Sequence, residues 1–356
     1  MSGHERRGPI QLTVLLTSYN YSQYISGALE LLLPQLEPGF ELIVIDDGSS
    51  DDSIGRIEAA IAGHAEARLI RNETNTGIHA VLNQGLALAR GEFFICASAD
   101  DRIRPGLLAS CVEMLERHPE AGLCTAPVVQ IDGLGRIAAE WAGPELPERR
   151  YHSPDEARRL MRVHGFWFCG ATTMFRTAAL REAGGFLLRL GNLADSFVSQ
   201  ELALKRGFCS LPGRLAEVRI LEESYSCSER HDLEKTHALR LEAAAWMRER
   251  AGLFPPDFIV EWMDLWGFLD ALKAWHRATL WTQRRFLGEG LALFRHDPGV
   301  TDRLFALLVG GLGGLQFIVF GFWGLVVLAG NRLFRHYLRP RRFGVWLRKQ
   351  FRSGRP

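Results

Sequence analysis

Residues 41–53 read ELIVIDDGSSDDS, an apolar run that ends in two aspartates and a Gly-Ser turn. Such a run, with almost no polar alternation, suits a strand covered on both faces. The Asp-Gly and Ser-Ser steps then end it. The same grammar recurs on either side. Residues 12–16 (LTVLL) read as the strand before it, residues 68–70 as a short third strand and residues 92–97 (EFFICA) as a fourth. Helical spacing fills the gaps over 21–36, 51–64 and 78–90, with Ser49 and Ser50 as candidate caps. Four strands alternating with helices predict a doubly wound, mostly parallel α/β sheet.

Beyond about residue 120 the pattern loosens. Residues 123–131 and 166–175 read as further strands, 177–183 and 195–206 as helices, and 233–295 as almost wholly helical with one break at Pro255-Pro256. Residues 304–330 hold 27 residues without a charge. About 20 apolar residues span a bilayer, so this segment is expected to insert in a membrane, as a single span or as a re-entrant hairpin. Residues 331–356 carry eight Arg, one Lys and no acid, which leaves the rest of the chain at −8 although the whole is +1. That asymmetry points to an anionic membrane surface for the tail and away from nucleic acid as a partner.

With 356 residues, 47% hydrophobic and 23% charged, the chain is too long and too apolar for disorder and suits about two domains. Six cysteines at 96, 111, 124, 169, 209 and 227 form no C-x-x-C pair. No secretory signal opens the chain, so reduced, buried thiols in the cytoplasm are expected. Cys169 in particular reads as a core residue inside an apolar strand.

The chemistry collects at strand ends. Asp46 and Asp47 close one strand, and Asp100 and Asp101 follow another. Ligands of open α/β sheets bind outside those carboxyl ends. Carboxylates gathered there call for a hard divalent cation, Mg²⁺ or Mn²⁺, which can bridge to a diphosphate. The alternative is that Asp46, Asp47 and Asp51 only build turns and a cap. Thr17-Ser18-Tyr19-Asn20 follows the first strand where a redox dinucleotide fold would carry G-x-G-x-x-G, and no G-x-x-x-x-G-K-[ST] is present. Tyr19 offers a ring face for a base.

Four segments occur in order: TVLLTSYNYSQYISGALE (13–30), ELIVIDDGSSDDS (41–53), NTGIHAVLNQGLALARGEFFICASADD (75–101) and FCGATTMFRTAALREAGGF (168–186). Together they resemble glycosyltransferase family 2, inverting enzymes of the GT-A fold, over roughly residues 10–225. The resemblance implies a donor half at 10–120 and an acceptor half at 121–225. A helical region at 226–300, a membrane segment at 301–330 and a basic tail at 331–356 complete the expected organisation.

The resemblance also implies roles. Thr17 and Tyr19 match residues that contact the donor nucleotide, and Asp47, with Asp46 before it, matches the carboxylate that meets the base. Asn83 lies where a polar residue approaches the donor. Asp100 and Asp101 match the acidic motif that meets the ribose and the metal. Asp195 falls where the family places its general base. Arg219, Arg230 and His231 lie where basic residues can meet donor phosphates, although a solvated charge run explains Arg230 and His231 as well. Two positions depart from the pattern: Ser98 stands where many members have the first Asp of D-x-D, and Ala194 precedes the base. The Q-x-x-R-W motif of processive synthases is absent, which favours a single transfer.

The expected function is a membrane-tethered, metal-assisted transfer from a nucleoside-diphosphate sugar to a glycan or polyprenyl-linked hydroxyl acceptor. The expected location is the cytoplasmic face of the inner membrane, in polysaccharide biosynthesis. A catalytically silent nucleotide-sugar-binding scaffold is the alternative. A nucleotidyltransferase would want a Gly-rich, basic loop after the first strand, and TSYNYSQ is not one.

Overall fold

The computed structural model describes residues 10–140, 143–221 and 233–277. The expected membrane segment, the basic tail, Cys227, Arg230 and His231 lie outside these residues, as does the helical reading beyond 277. Among the described residues, no helix is long and apolar enough to cross a membrane. The chain divides into two compact units, residues 1–161 with 166–227, and residues 162–165 with 228–356.

The first unit opens as the apolar runs predict. β1 (Leu12–Ser18), α1 (Ser22–Leu32), β2 (Phe40–Asp46), α2 (Ser53–Ile61), β3 (Ala67–Arg71), α3 (Ile78–Leu88) and β4 (Phe93–Ser98) follow one another. Every residue of β1 and of β2 is buried, because helices cover both faces of the sheet. The pairs β1–β2, β1–β4 and β2–β3 are all parallel. Their register aligns the carboxyl ends: Ser18 pairs with Asp46 and Thr17 with Ser98. Three strands therefore finish on one level.

The second half is less regular. β5 (Arg102–Ile103), α4 (Leu107–Arg117), β6 (Leu123–Thr125), β7 (Val128–Ile131), β8 (Ile137–Glu140), β9 (Arg150–His152) and α5 (Pro154–His164) come first. β10 (Met174–Arg176), α6 (Thr177–Glu182), α7 (Ala194–Arg206), β11 (Phe208–Ser210) and β12 (Ala216–Arg219) follow. The main sheet has the order β3-β2-β1-β4-β10-β6-β11-β9, and a smaller sheet has β5-β12-β7-β8. β10 runs antiparallel to both its neighbours, and β9 antiparallel to β11. The sheet is thus mixed, and parallel throughout only in its first half.

Two strand readings need correction. Residues 123–131 are two strands in two sheets, because Pro127 has no N–H to continue a ladder and Ala126-Pro127 divides β6 from β7. Only the end of residues 166–175 is a strand. The Trp167 and Phe168 rings pack on Phe208 at centroid distances of 5.5 and 5.4 Å. The Thr172 and Thr173 hydroxyls then donate to Ala126 O and Cys169 O, both at 2.8 Å, around a 3-10 turn at Gly170–Thr172. Cys169 accordingly lies in a loop and not in a strand.

The second unit contributes α8 (Leu233–Arg248) and α9 (Pro256–Arg277), which pack on each other. The break between them falls where Pro255-Pro256 predicts it. Phe258, Ile259, Trp262 and Leu265 are buried, the spacing of one helical face. The Trp246 and Phe254 rings meet at 5.3 Å.

At the opposite, amino-terminal ends of these strands, Glu41 is buried. It accepts hydrogen bonds from Thr13 Oγ1 at 2.7 Å and from Arg90 N and Nε at 2.9 and 2.8 Å. Burial raises a carboxyl pKa, but the Arg90 and Thr13 donors outweigh it and hold Glu41 below the ordinary glutamate range. A depressed folded pKa contributes stability above the unfolded value, and that stability is lost as pH falls. Glu41→Gln should therefore cost about 1.5–3 kcal/mol at pH 7. Thermal melts should show the gap to wild type closing between pH 7 and pH 3; a constant gap would disprove the ionised clamp.

Candidate active site

The level ends of β1, β2 and β4 open onto a set of turns. Asp46 is buried and accepts from Ser49 N at 2.8 Å and Ser49 Oγ at 2.7 Å, which closes the turn after β2. Gly48 adopts φ +80°, and a Cβ there would stand 2.9 Å from the Thr74 carbonyl carbon. Only glycine meets both demands. The turn is stitched to the end of β1. Asn20 N donates to Ser49 Oγ and Ser50 N to Asn20 Oδ1, each at 2.8 Å. Ser22 N donates to Asp51 Oδ2 at 3.0 Å. Hydrogen bonds to Asp51, chiefly from Ser53 and Ser22, outweigh its partial desolvation and lower its pKa to about 2. Ser49 and Ser50 thus serve this stitching, and α2 has no side-chain cap.

Asp47 points the other way. It accepts from Asn72 Nδ2 and Thr76 Oγ1 at 2.8 Å and from Gly77 N at 2.9 Å, with Thr76 N at 3.0 Å. Burial would raise its pKa, but these donors lower it. Asp47 therefore organises the loop that leads into α3. Tyr19, 43% exposed beside the stitched turn, keeps a ring face open to solvent. Asn83 turns to the protein: its Nδ2 donates to Phe186 O at 2.7 Å and its Oδ1 accepts from Phe186 N at 2.9 Å.

Asp100 and Asp101 follow β4. The Ser98 hydroxyl donates to Asp100 Oδ1, and the Tyr21 hydroxyl also bonds Asp100. Asp101 Oδ1 accepts from Arg219 N at 3.0 Å. Burial raises the pKa of both, and the Asp100 charge raises Asp101 further. The carboxylates gathered at the strand ends thus reduce to one adjacent pair that protein donors do not fully compensate. Arg219 lies beneath this pair. It is 6% exposed and gives its guanidinium to main-chain carbonyls, so it is committed to the protein interior and not to the pocket.

A cavity of about 190 Å³ opens beside the pair. Thr17, Cys96, Ser98 and Asp101 line it from the sheet, Ile78, His79 and Leu82 from α3, and Gly170, Ala171, Asn192 and Asp195 from the second half. Of the residues singled out in the sequence, Thr17, Asp101 and Asp195 meet here. Tyr19, Asp46, Asp47, Asn83 and Asp100 do not line this cavity.

Asp195 lies in the first turn of α7. Burial raises its pKa, partly offset by the Ser196 N–H, the His79 charge and the Gly170 N–H. A Cβ at Gly170 would come within 2.8 Å of Asp195 Oδ2 and would displace that carboxylate. His79 and Asn192 were not foreseen. His79 is the second residue of α3, and its place in a helix pattern gives no sign that it borders a cavity. Cys169 and Cys96 lie close to the charges of Asp101 and Asp195. Burial first, and these carboxylates second, push the Cys96 thiol up to about 12 and that of Cys169 higher, so neither is a nucleophile.

Among the described residues, no cluster of three or more His, Cys, Asp and Glu side chains is placed to hold a metal ion. Asp100 and Asp101 form a pair of hard oxygen donors with negative charge in excess. Such a pair fits a divalent cation that takes its other ligands from a bound diphosphate or water.

Asp47→Ala should release the loop before α3. The Thr76 and Gly77 amides are expected to exchange hydrogen at least tenfold faster, at a cost of about 1–3 kcal/mol in global stability. Unchanged protection of both amides would mean that the loop holds itself.

Residues 13–184 match the model of glycosyl transferase family 2. An uncharacterized protein of Mycobacterium tuberculosis is 31% identical over 219 residues, covering 58% of this chain and 66% of that protein. EpsE of Bacillus subtilis, named as a glycosyltransferase, is 30% identical over 181 residues, covering 50% of this chain and 60% of its own length. The chain thus spans less than two thirds of these relatives. The solved structure of S. aureus TarS 1–349 with UDP-GlcNAc superposes with a TM-score of 0.60 at 17% identity, covering 89% of this chain and 90% of that one. A mannosyltransferase of Pyrobaculum calidifontis with GDP-Man and Mn²⁺ gives 0.50 at 20% identity, covering 90% and 86%. At these identities the likeness is one of fold, a GT-A-like α/β architecture. Residues 13–184, which carry the parallel half of the sheet and its acidic strand end, are thus a glycosyl transferase family 2 domain.

Proposed function

We propose that this protein is an inverting glycosyltransferase that moves a sugar from a nucleoside-diphosphate sugar to a hydroxyl acceptor. The observation that carries this reading is the cavity that gathers Thr17, Ser98 and Asp101 from the strand ends and sets Asp195 beside them. Fold relatives hold UDP-GlcNAc in one case and GDP-Man with Mn²⁺ in another, which supports a nucleotide-sugar donor here.

In this mechanism the nucleotide lies across the ends of β1 and β2, with Thr17 and the open face of Tyr19 as its contacts. Asp46 and Asp47 hold the turns that shape this cradle. Asp100 and Asp101 would hold a divalent cation, Mn²⁺ or Mg²⁺, which supplies positive charge for the departing diphosphate. Asp195 accepts the proton of the acceptor hydroxyl as that oxygen bonds to the anomeric carbon. The bond from that carbon to the diphosphate oxygen breaks on the opposite face, and the departing diphosphate keeps its electron pair. Attack from the opposite face inverts the centre. A base with a raised pKa lies nearer the working pH, which general-base catalysis favours.

The acceptor is proposed to be a glycan or a polyprenyl-linked glycan. Residues 304–330, uncharged throughout, would tether the chain to the cytoplasmic face of the cell membrane, with the basic residues of 331–356 at the anionic surface. If so, a chain ending at residue 300 should leave the membrane fraction that the full chain occupies. Retention of the shortened chain would remove the tether from the reading.

The central test follows nucleotide release from UDP-, GDP- and dTDP-sugars with Mn²⁺ and a membrane lipid extract as acceptor. Release from one donor is expected, with Asp195→Asn slower by about 10²–10⁴. The base works only when ionised, so wild-type rate should rise with pH through the Asp195 pKa, above the ordinary aspartate range. The residual rate of Asp195→Asn should lack that limb. Turnover by Asp195→Asn equal to wild type would overturn the assignment of the base.

A further inference from the structure

We infer that Arg219 is a positioning residue for the acidic pair: its clamp holds the Asp100-Asp101 turn in the geometry that receives a divalent cation. This inference rests on the proposed metal role of that pair. Arg219 closes β12 in the smaller sheet, and its side chain runs under the end of β4. Its backbone N–H donates to Asp101 Oδ1 at 3.0 Å and its Nε to Asp100 O at 3.1 Å. On the far edge of the guanidinium, Nη1 donates to Asp132 O at 2.7 Å and Gly133 O at 3.1 Å. The guanidinium carbon lies 4.5 Å from the centroid of the Tyr24 ring on α1.

One residue thus ties the acidic turn after β4 to two other places, the backbone of the β7–β8 hairpin turn and the Tyr24 ring of α1. The guanidinium hydrogen bonds all go to carbonyl oxygens, so the fork is used for its shape. Its positive charge remains available to the neighbouring carboxylates. Lysine cannot reproduce this arrangement, since a point charge has no two edges to span carbonyls on opposite sides. Groups that orient metal ligands typically contribute 10–100-fold to metal affinity.

Charge and positioning predict opposite effects here. Removing a cation beside two carboxylates, by itself, should tighten binding of Mn²⁺. Losing the clamp should weaken it. Titration of Mn²⁺ alone and of Mn²⁺ with UDP or GDP, followed by the electron paramagnetic resonance signal of free Mn²⁺, separates the two. Wild type, Arg219→Gln, Arg219→Lys, Tyr24→Leu and Asp101→Ala are compared, with circular dichroism melts as a check on folding. At least tenfold weaker binding is expected in Arg219→Gln and also in Arg219→Lys, which keeps the charge. Tyr24→Leu, which leaves Arg219 in place without the ring beneath it, should fall between these and wild type. It decides the matter should the Arg219 variants not fold.

Wild-type affinity in Arg219→Lys, or tighter binding in Arg219→Gln, would overturn the positioning role while leaving the metal assignment intact. If a folded Tyr24→Leu binds as wild type where the Arg219 variants do not fold, the inference is overturned in the same way. Wild type that binds Mn²⁺ no better than Asp101→Ala would instead remove the metal assignment, and this inference with it.

Discussion

Two adjacent carboxylates at the buried end of a strand repel each other, and burial takes away the water that would screen them. Asp100 and Asp101 are in that position after β4, and much of the surrounding architecture answers it. Ser98 and Tyr21 supply hydrogen bonds to Asp100, and the Arg219 amide supplies one to Asp101. The register of β1 against β2 and β4 brings Thr17 and Ser98 to the same level, so the charge faces a cavity. The smaller sheet carries β12, and with it Arg219, to the pair. What the protein leaves uncompensated is negative charge at the mouth of a pocket that also holds Asp195. A bound cation would relieve that excess.

The N-terminal half was legible because its physics is local. Runs such as ELIVI and EFFICA are buried on both faces, so their composition alone marks them as central strands. Gly48 and the aspartates around it mark the turn after β2. The second half was less legible because its elements are short and depend on partners far away in sequence. β9 and β11 are three residues each, and β11 is defined by pairing with β6 and β9. The apolar run 166–175 carries a strand-like composition, yet its aromatic side chains pack on Phe208 and its threonine hydroxyls turn the backbone instead.

The site divides along the same line. Thr17, Asp101 and Asp195 could be named from motif and resemblance, and the fold gathers them. His79 and Asn192 could not be named, since nothing in a helix pattern or a Gly-Asn step says which side a cavity lies on. Arg219 was visible as a basic residue near the end of the motif region. Its direction was not, because a sequence does not say whether a guanidinium meets solvent, phosphate or carbonyl. Asn83 illustrates the converse: a polar residue at the expected position whose amide closes on the Phe186 backbone.

The Asp47 carboxylate already accepts from Asn72, from both donors of Thr76 and from Gly77. Its lone pairs are nearly all occupied before any ligand arrives. A nucleobase that hydrogen-bonds this group must displace a donor of the loop, so the two compete for one acceptor. The displaced donor belongs to residues 72–77, which run directly into the helix that carries His79 and Leu82. A change at the Asp47 carboxylate would therefore be felt at the α3 wall of the cavity, because this one side chain holds the loop that leads into that helix.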